Sequence, residues 1–110
     1  MKLAVYLFTG VLLLKGFIQP IHKPAVHVVK MEGMRFIPKV IEINAGETVR
    51  WVNESSSAHN VVAADKRFKS KMLSSAADQF EYTFTTAGEY RYFCEPHKMM
   101  GMIGVVVVKE

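Results

Sequence analysis

Apolar and polar positions alternate most cleanly late in the chain, where Phe80, Tyr82 and Phe84 interleave with Glu81, Thr83 and Thr85. A period of two puts successive side chains on opposite faces, so this run predicts a strand with one face in a core. Ile41 and Ile43 around Glu42 repeat the pattern. After the turn Asn44-Ala45-Gly46-Glu47, the strand Thr48 to Asn53 carries Val49 and Trp51 on one face, Trp51 serving as core bulk. Ala25 to Met31 is apolar and β-branched enough for a first strand. Val61-Val62 re-enter the core, Ala87-Gly88 turns the chain, and Tyr90 to Phe93 forms another strand. Val105 to Val108 is apolar on both faces, which predicts a strand covered on both sides. Short strands broken by turn signals such as Gly33 and Pro38, with no convincing long helix beyond the first twenty residues, predict an antiparallel β-sandwich.

Two stretches fall outside that pattern. In residues 64 to 79, Phe68 and Met72 have helical spacing, while the serines and alanines that follow read equally well as a loop. At the N-terminus, Lys2 precedes an apolar run from Leu3 to Leu14 broken only by Thr9 and Gly10. As a helix this run is about 18 Å long, against a hydrocarbon core of roughly 30 Å. Residues 1 to 20 therefore read as a signal peptide. An uncleaved membrane anchor stays open, because no A-x-A-like site follows and Gly16-Phe17-Ile18 can lengthen the run past Lys15. Either reading places the remainder, 21 to 110, outside the cytoplasm, periplasmic or otherwise extracytoplasmic.

Composition narrows the function classes. A length of 110 residues, half of them hydrophobic, suits one domain with one core. The formal charge of +4 drops to about +2 without Lys2 and Lys15, and nothing else points to nucleic acid. Lys66, Arg67, Lys69 and Lys71 cluster, either as a solvated face or as a docking patch for an acidic partner. One cysteine excludes an internal disulfide, so Cys94 in an exported chain needs another use.

Cys94-Glu95-Pro96-His97-Lys98-Met99-Met100-Gly101-Met102 supplies that use, offering a thiolate, an imidazole and three thioethers within nine residues. Soft copper favours such donors, and magnesium or calcium would not. A bare C-x-x-H is otherwise read as a surface loop with a buried cysteine. Here a strand pattern enters Cys94, another leaves Met102, and His59 lies on a second loop upstream. Structural zinc would normally bring four Cys or His ligands, and a cysteine hydrolase would need an oxyanion hole that nothing here resembles. His22 and His27 are read as surface or packed residues, and Met31 and Met34 as core filler or loop residues.

Gly88-Glu89-Tyr90-x-x-Phe93-Cys94-x-Pro96-His97-x4-Met102-x-Gly104 resembles the C-terminal signature of the cupredoxins, small blue-copper proteins, and within them the plastocyanin and pseudoazurin type. Ser57-Ala58-His59-Asn60-Val61-Val62 is similar to the family's first-histidine loop, and Phe36-x-Pro38-x-x-Ile41-x-Ile43-x-x-Gly46-Glu47-x-Val49-x-Trp51 extends the likeness over roughly residues 25 to 108. The resemblance implies a Greek-key sandwich of about eight strands over residues 21–110. It also implies one type 1 copper ion on His59, Cys94 and His97, with Met102 as a weak axial donor. The H-x4-M spacing selects Met102; the shorter H-x2-M spacing of amicyanin would select Met100. Asn60 would tie the two ligand loops together by hydrogen bonding, with its backbone close to the Cys94 sulfur. The implied function is a monomeric, non-enzymatic carrier of single electrons whose redox protein partners dock near His97, Met99 and Met100, steered by Lys98 and the Lys66 to Lys71 cluster. Membrane contact is expected only through an uncleaved leader. The rival reading is extracytoplasmic copper storage or delivery.

Overall fold

A computed structural model describes residues 23–110 of the chain. The leader reading for residues 1 to 20, and His22, lie outside the described residues. Eight strands form two four-stranded sheets. The first sheet contains β1 (Val26–Glu32), β2 (Arg35–Ile37), β4 (Thr48–Asn53) and β6 (Gln79–Thr83), in the order β2-β1-β4-β6. The second contains β3 (Val40–Asn44), β5 (Val62–Ala63), β7 (Gly88–Phe93) and β8 (Ile103–Lys109), in the order β3-β8-β7-β5.

The all-β sandwich agrees with the alternation, but pairing is mixed, not purely antiparallel. β1 runs parallel to β4, with Val29 opposite Trp51, and β3 runs parallel to β8, with Ile41 opposite Val106. The other pairs are antiparallel, including β4 with β6 and β7 with β8. Alternation identifies a strand and its buried face; it carries no direction.

Inward residues of both sheets meet around Trp51, which is edge-on to Tyr92 at 5.2 Å and tilted against Phe68 at 5.7 Å. In β8 the buried positions are Gly104, Val106 and Val108, while the outward Val105 and Val107 are only half-buried. The expectation of cover on both faces of this strand is thus met only in part, because β8 gains shelter from its neighbours β3 and β7 within the sheet. Gly104 is required by packing: a Cβ there would lie 2.3 Å from the Tyr92 ring. Among the described residues, the Trp51 Nε1 and Tyr92 hydroxyl atoms are buried without a hydrogen bond of good geometry. Burial drives the Tyr92 pKa up to about 12, and the nearby indole N–H offsets this only in part.

Residues 64 to 78 form no helix. They fold as a loop clamped by two isolated bridges, His59 with Leu73 and Val62 with Lys69. Phe68 turns into the aromatic cluster, and Met72, four residues on, is exposed. This loop lies across the first-histidine segment and holds it against the core.

Candidate metal centre

Two connections meet at one end of the sandwich. β7 delivers Cys94, and the chain then passes through His97 and a 3-10 turn, Lys98–Met100, before Met102 and β8. Gly101 closes that turn in the left-handed region, φ 83°, where a side chain is disfavoured. The loop is cross-braced by its own backbone: the Cys94 N–H donates to the Met102 carbonyl at 3.1 Å, and the Met100 and Met102 N–H groups donate to the His97 carbonyl at 3.0 and 3.2 Å. The second connection, between β4 and β5, supplies His59, whose backbone exchanges two hydrogen bonds with Leu73.

His59, Cys94 and His97 each turn one donor atom inward, and those atoms all lie within 4.8 Å of one another. The Cys94 Sγ is 3.4 Å from His97 Nδ1 and 3.7 Å from His59 Nδ1, and the two Nδ1 atoms are 3.1 Å apart. Met102, whose backbone bonds to Cys94 and His97, is fully buried, while Met99 and Met100 are exposed on the 3-10 turn. His27 stands apart in β1, 3.1 Å from Glu47.

Proton counting assigns the His59 tautomer. Asn53 uses its amide Nδ2 to donate to the Ser57 and Leu73 carbonyls, so its Oδ1 is an acceptor for Ser55. The Ser55 hydroxyl proton goes to that Oδ1 or to the Ser57 carbonyl, both pure acceptors. The remaining contact, Ser55 Oγ to His59 Nε2 at 2.8 Å, therefore has Nε2–H donating. The lone pair of His59 Nδ1 then faces Cys94. Burial lowers the His59 pKa and repulsion from His97 adds to that; a Gly33 backbone hydrogen bond offsets them only in part, so the balance favours the neutral ring that a metal needs.

Burial is also the main influence on Cys94, raising its thiol pKa with a further push from the Glu95 charge. The backbone N–H groups of Asn60 and His97 point at the sulfur and pull in the opposite direction. A bound cation would favour the thiolate more strongly than those two amides. The site is thus a neutral imidazole, a second imidazole and a buried thiol converging on one point, a donor set that fits copper.

Asn60 joins the two loops reciprocally: its Oδ1 accepts from the Glu95 N–H at 2.8 Å, and its Nδ2 donates to Glu95 Oε1 at 2.7 Å. Glu95 also pairs with Lys69 at 3.0 Å, and the Lys69 ammonium first, then Asn60, hold its carboxyl below the usual range. Sequence reasoning picked out Asn60 but missed Ser55 and Glu95. The serine four residues before His59 and the acid beside Cys94 were the available signals.

The sequence model of a family described as copper binding proteins, plastocyanin/azurin family, matches residues 24–109. A chloroplastic plastocyanin from Chlamydomonas reinhardtii is 35% identical over 86 residues, which cover 69% of this chain and 59% of the relative's length. A purple cupredoxin from Nitrosopumilus maritimus superposes with a TM-score of 0.70 at 28% identity, covering 76% of this chain and 99% of that one. A copper-containing nitrite reductase from Thermus scotoductus superposes with a TM-score of 0.72 at 32% identity, over 86% of this chain but only 26% of that protein.

Proposed function

The chain belongs to the plastocyanin/azurin family of copper-binding proteins, and from that membership we propose that it carries single electrons between redox proteins. In this reading one type 1 copper ion is held by His59, Cys94 and His97, with Met102 as the weak axial donor. The convergence of two histidine Nδ1 atoms and a buried thiol carries the reading, since two imidazoles and a thiolate form the trigonal set of blue-copper sites. Burial supports Met102 over Met100: the first is 0% exposed and the second 65%.

Copper bound there supplies a one-electron couple. The protein's residues keep the donors still while it is used. Ser55 and Leu73 fix the His59 ring and backbone, and Asn60 ties the two loops through Glu95. His97, only partly buried, is the donor nearest solvent, with the apolar Met99 and Met100 beside it. A small apolar contact at that edge suits brief encounters between redox partners. Catalysis is disfavoured because Cys94 and His59 are sealed from any substrate, although the fold also occurs within the nitrite reductase. Residues 1 to 20 act in this reading as a signal or anchor, and 21–110 work as an extracytoplasmic monomer.

The test is the visible spectrum of the copper-loaded protein. Intense thiolate charge-transfer colour that bleaches and returns on redox cycling, and is abolished by Cys94→Ser, is the expected result. A colourless protein that surrenders its copper to an acceptor would favour storage or delivery instead.

A further inference from the structure

The basic side chains fall into two groups with different fates. In the loop between β5 and β6 two of the cations are used within the fold. Arg67 pairs with Asp65 at 2.7 Å and lies over the Tyr90 ring at 4.3 Å, and Lys69 is held by Glu95. Arg35 and Lys39 behave otherwise. Alternation in β2 turns Phe36 inward, edge-on to Tyr92 at 4.7 Å, which leaves Arg35 facing solvent. The Lys39 carbonyl accepts from the Val105 N–H at 2.9 Å, pinning this connection to β8. Neither cation makes an ion pair among the described residues, even though Glu32 lies across the hairpin from Arg35.

With Phe36, Gly101 and Ile103, these two cations line a hollow of about 130 Å³. Gly101 and Ile103 flank Met102, whose backbone bonds to both Cys94 and His97, so the hollow opens at the edge of the candidate centre. Ile103 and the neighbouring Met34, Ile37 and Met100 leave apolar surface exposed around it.

We propose that this hollow docks an acidic redox protein, whose carboxylates meet Arg35 and Lys39 while its apolar surface rests on Ile103 and Met100. The inference rests on the electron-carrier reading and names the chemistry of its partner. Charge complementarity favours this face because Arg35 and Lys39 are unpaired and flank an apolar hollow beside the centre, whereas in the β5–β6 loop Arg67 and Lys69 would first have to leave their own carboxylates and Lys66 and Lys71, though unpaired among the described residues, line no such hollow. Attraction of this kind speeds encounter and fades with salt.

Hexacyanoferrate(III), a trianionic one-electron oxidant, is the probe. One electron passes from the protein's Cu(I) to the oxidant, leaving Cu(II) and hexacyanoferrate(II), and no proton moves. Arg35→Glu/Lys39→Glu should slow the second-order rate on the order of tenfold at low salt. Near 0.5 M salt the deficit should shrink to about twofold, because screening then acts within a few ångström. Lys66→Glu/Lys71→Glu, equal in charge change but away from the hollow, should cost only about twofold at low salt. Arg35→Gln/Lys39→Gln, a milder change that guards against a folding defect, should cost roughly threefold. An unchanged rate in the first variant, or equal losses in both charge-reversed variants, overturns the docking site. Wild-type protein that exchanges electrons neither with hexacyanoferrate(III) nor with the cationic tris(phenanthroline)cobalt(III) overturns the carrier reading itself, and the docking proposal with it.

Discussion

His59 and His97 present the same ring nitrogen to the same thiol from opposite kinds of surroundings. His59 is fully buried, its Nε2 is taken by Ser55, its backbone is bridged to Leu73, and its neighbour Asn60 is bonded twice to Glu95. His97 sits on a short exposed turn where its own backbone carbonyl accepts the local bracing hydrogen bonds, next to the fully exposed Met99, and the loop's side-chain tie to Asn60 is made two residues away at Glu95. One half of the centre is thus built by long-range packing and side-chain bonds, the other by local turns. A centre that must hold its geometry and also be reached by a partner needs both. The division separates substitutions that should cost stability from those that should cost exchange rate.

The largest stability effect is expected on the His59 side. Asn60→Ala removes two inter-loop hydrogen bonds, one to a carboxylate, and should lower the unfolding free energy of the metal-free protein by about 2–3 kcal/mol in urea titrations. A loss below about 0.5 kcal/mol would mean that the loops are held together by something else. Ser55→Ala should cost about 1 kcal/mol and broaden the visible band of the copper-loaded form as the His59 ring loses its anchor. An unaltered spectrum would leave Ser55 as an ordinary loop residue.

Acid should weaken the same side next. Glu95 has a depressed folded pKa, so its stabilising contribution is fully present above the usual glutamate value of about 4.3 and is lost as pH falls through the lower folded value. The metal-free protein should therefore melt at lower temperature below about pH 4, and Glu95→Gln should flatten that dependence. The smallest stability change belongs to the His97 side. Met99→Glu should stay within about 0.5 kcal/mol of the parent while slowing electron exchange with a redox partner. Unchanged exchange kinetics would move docking away from this turn.

Strands β3 and β4, one in each sheet, were legible because Ile43, Val49, Trp51 and their neighbours bury alternate side chains along strands of five or six residues. β2 was not, since Arg35–Ile37 offers one buried residue, Phe36, too few for a period. The loop after β5 was ambiguous for a different reason. Phe68 and Met72 have helical spacing by coincidence, and what decides the conformation is remote, the bridges from Leu73 to His59 and from Lys69 to Val62. The donors near Cys94 were readable because three of the four lie within nine residues of each other. Ser55 was hidden in a run of three serines, where only the folded loop distinguishes the one that reaches an imidazole.

The parallel pairing of β1 with β4 sets the geometry of any tether. Both strands point toward the end that carries Cys94 and His97: β4 finishes at Asn53 just before the His59 loop, and Met31, near the end of β1, lies opposite it. Val26 consequently starts at the far end, beside Thr48, about 20 Å of strand away from the centre. A chain arriving at Val26 from a membrane surface would leave the His97 edge pointing away from the lipid, free to sweep the space beyond on whatever length of linker precedes the first strand.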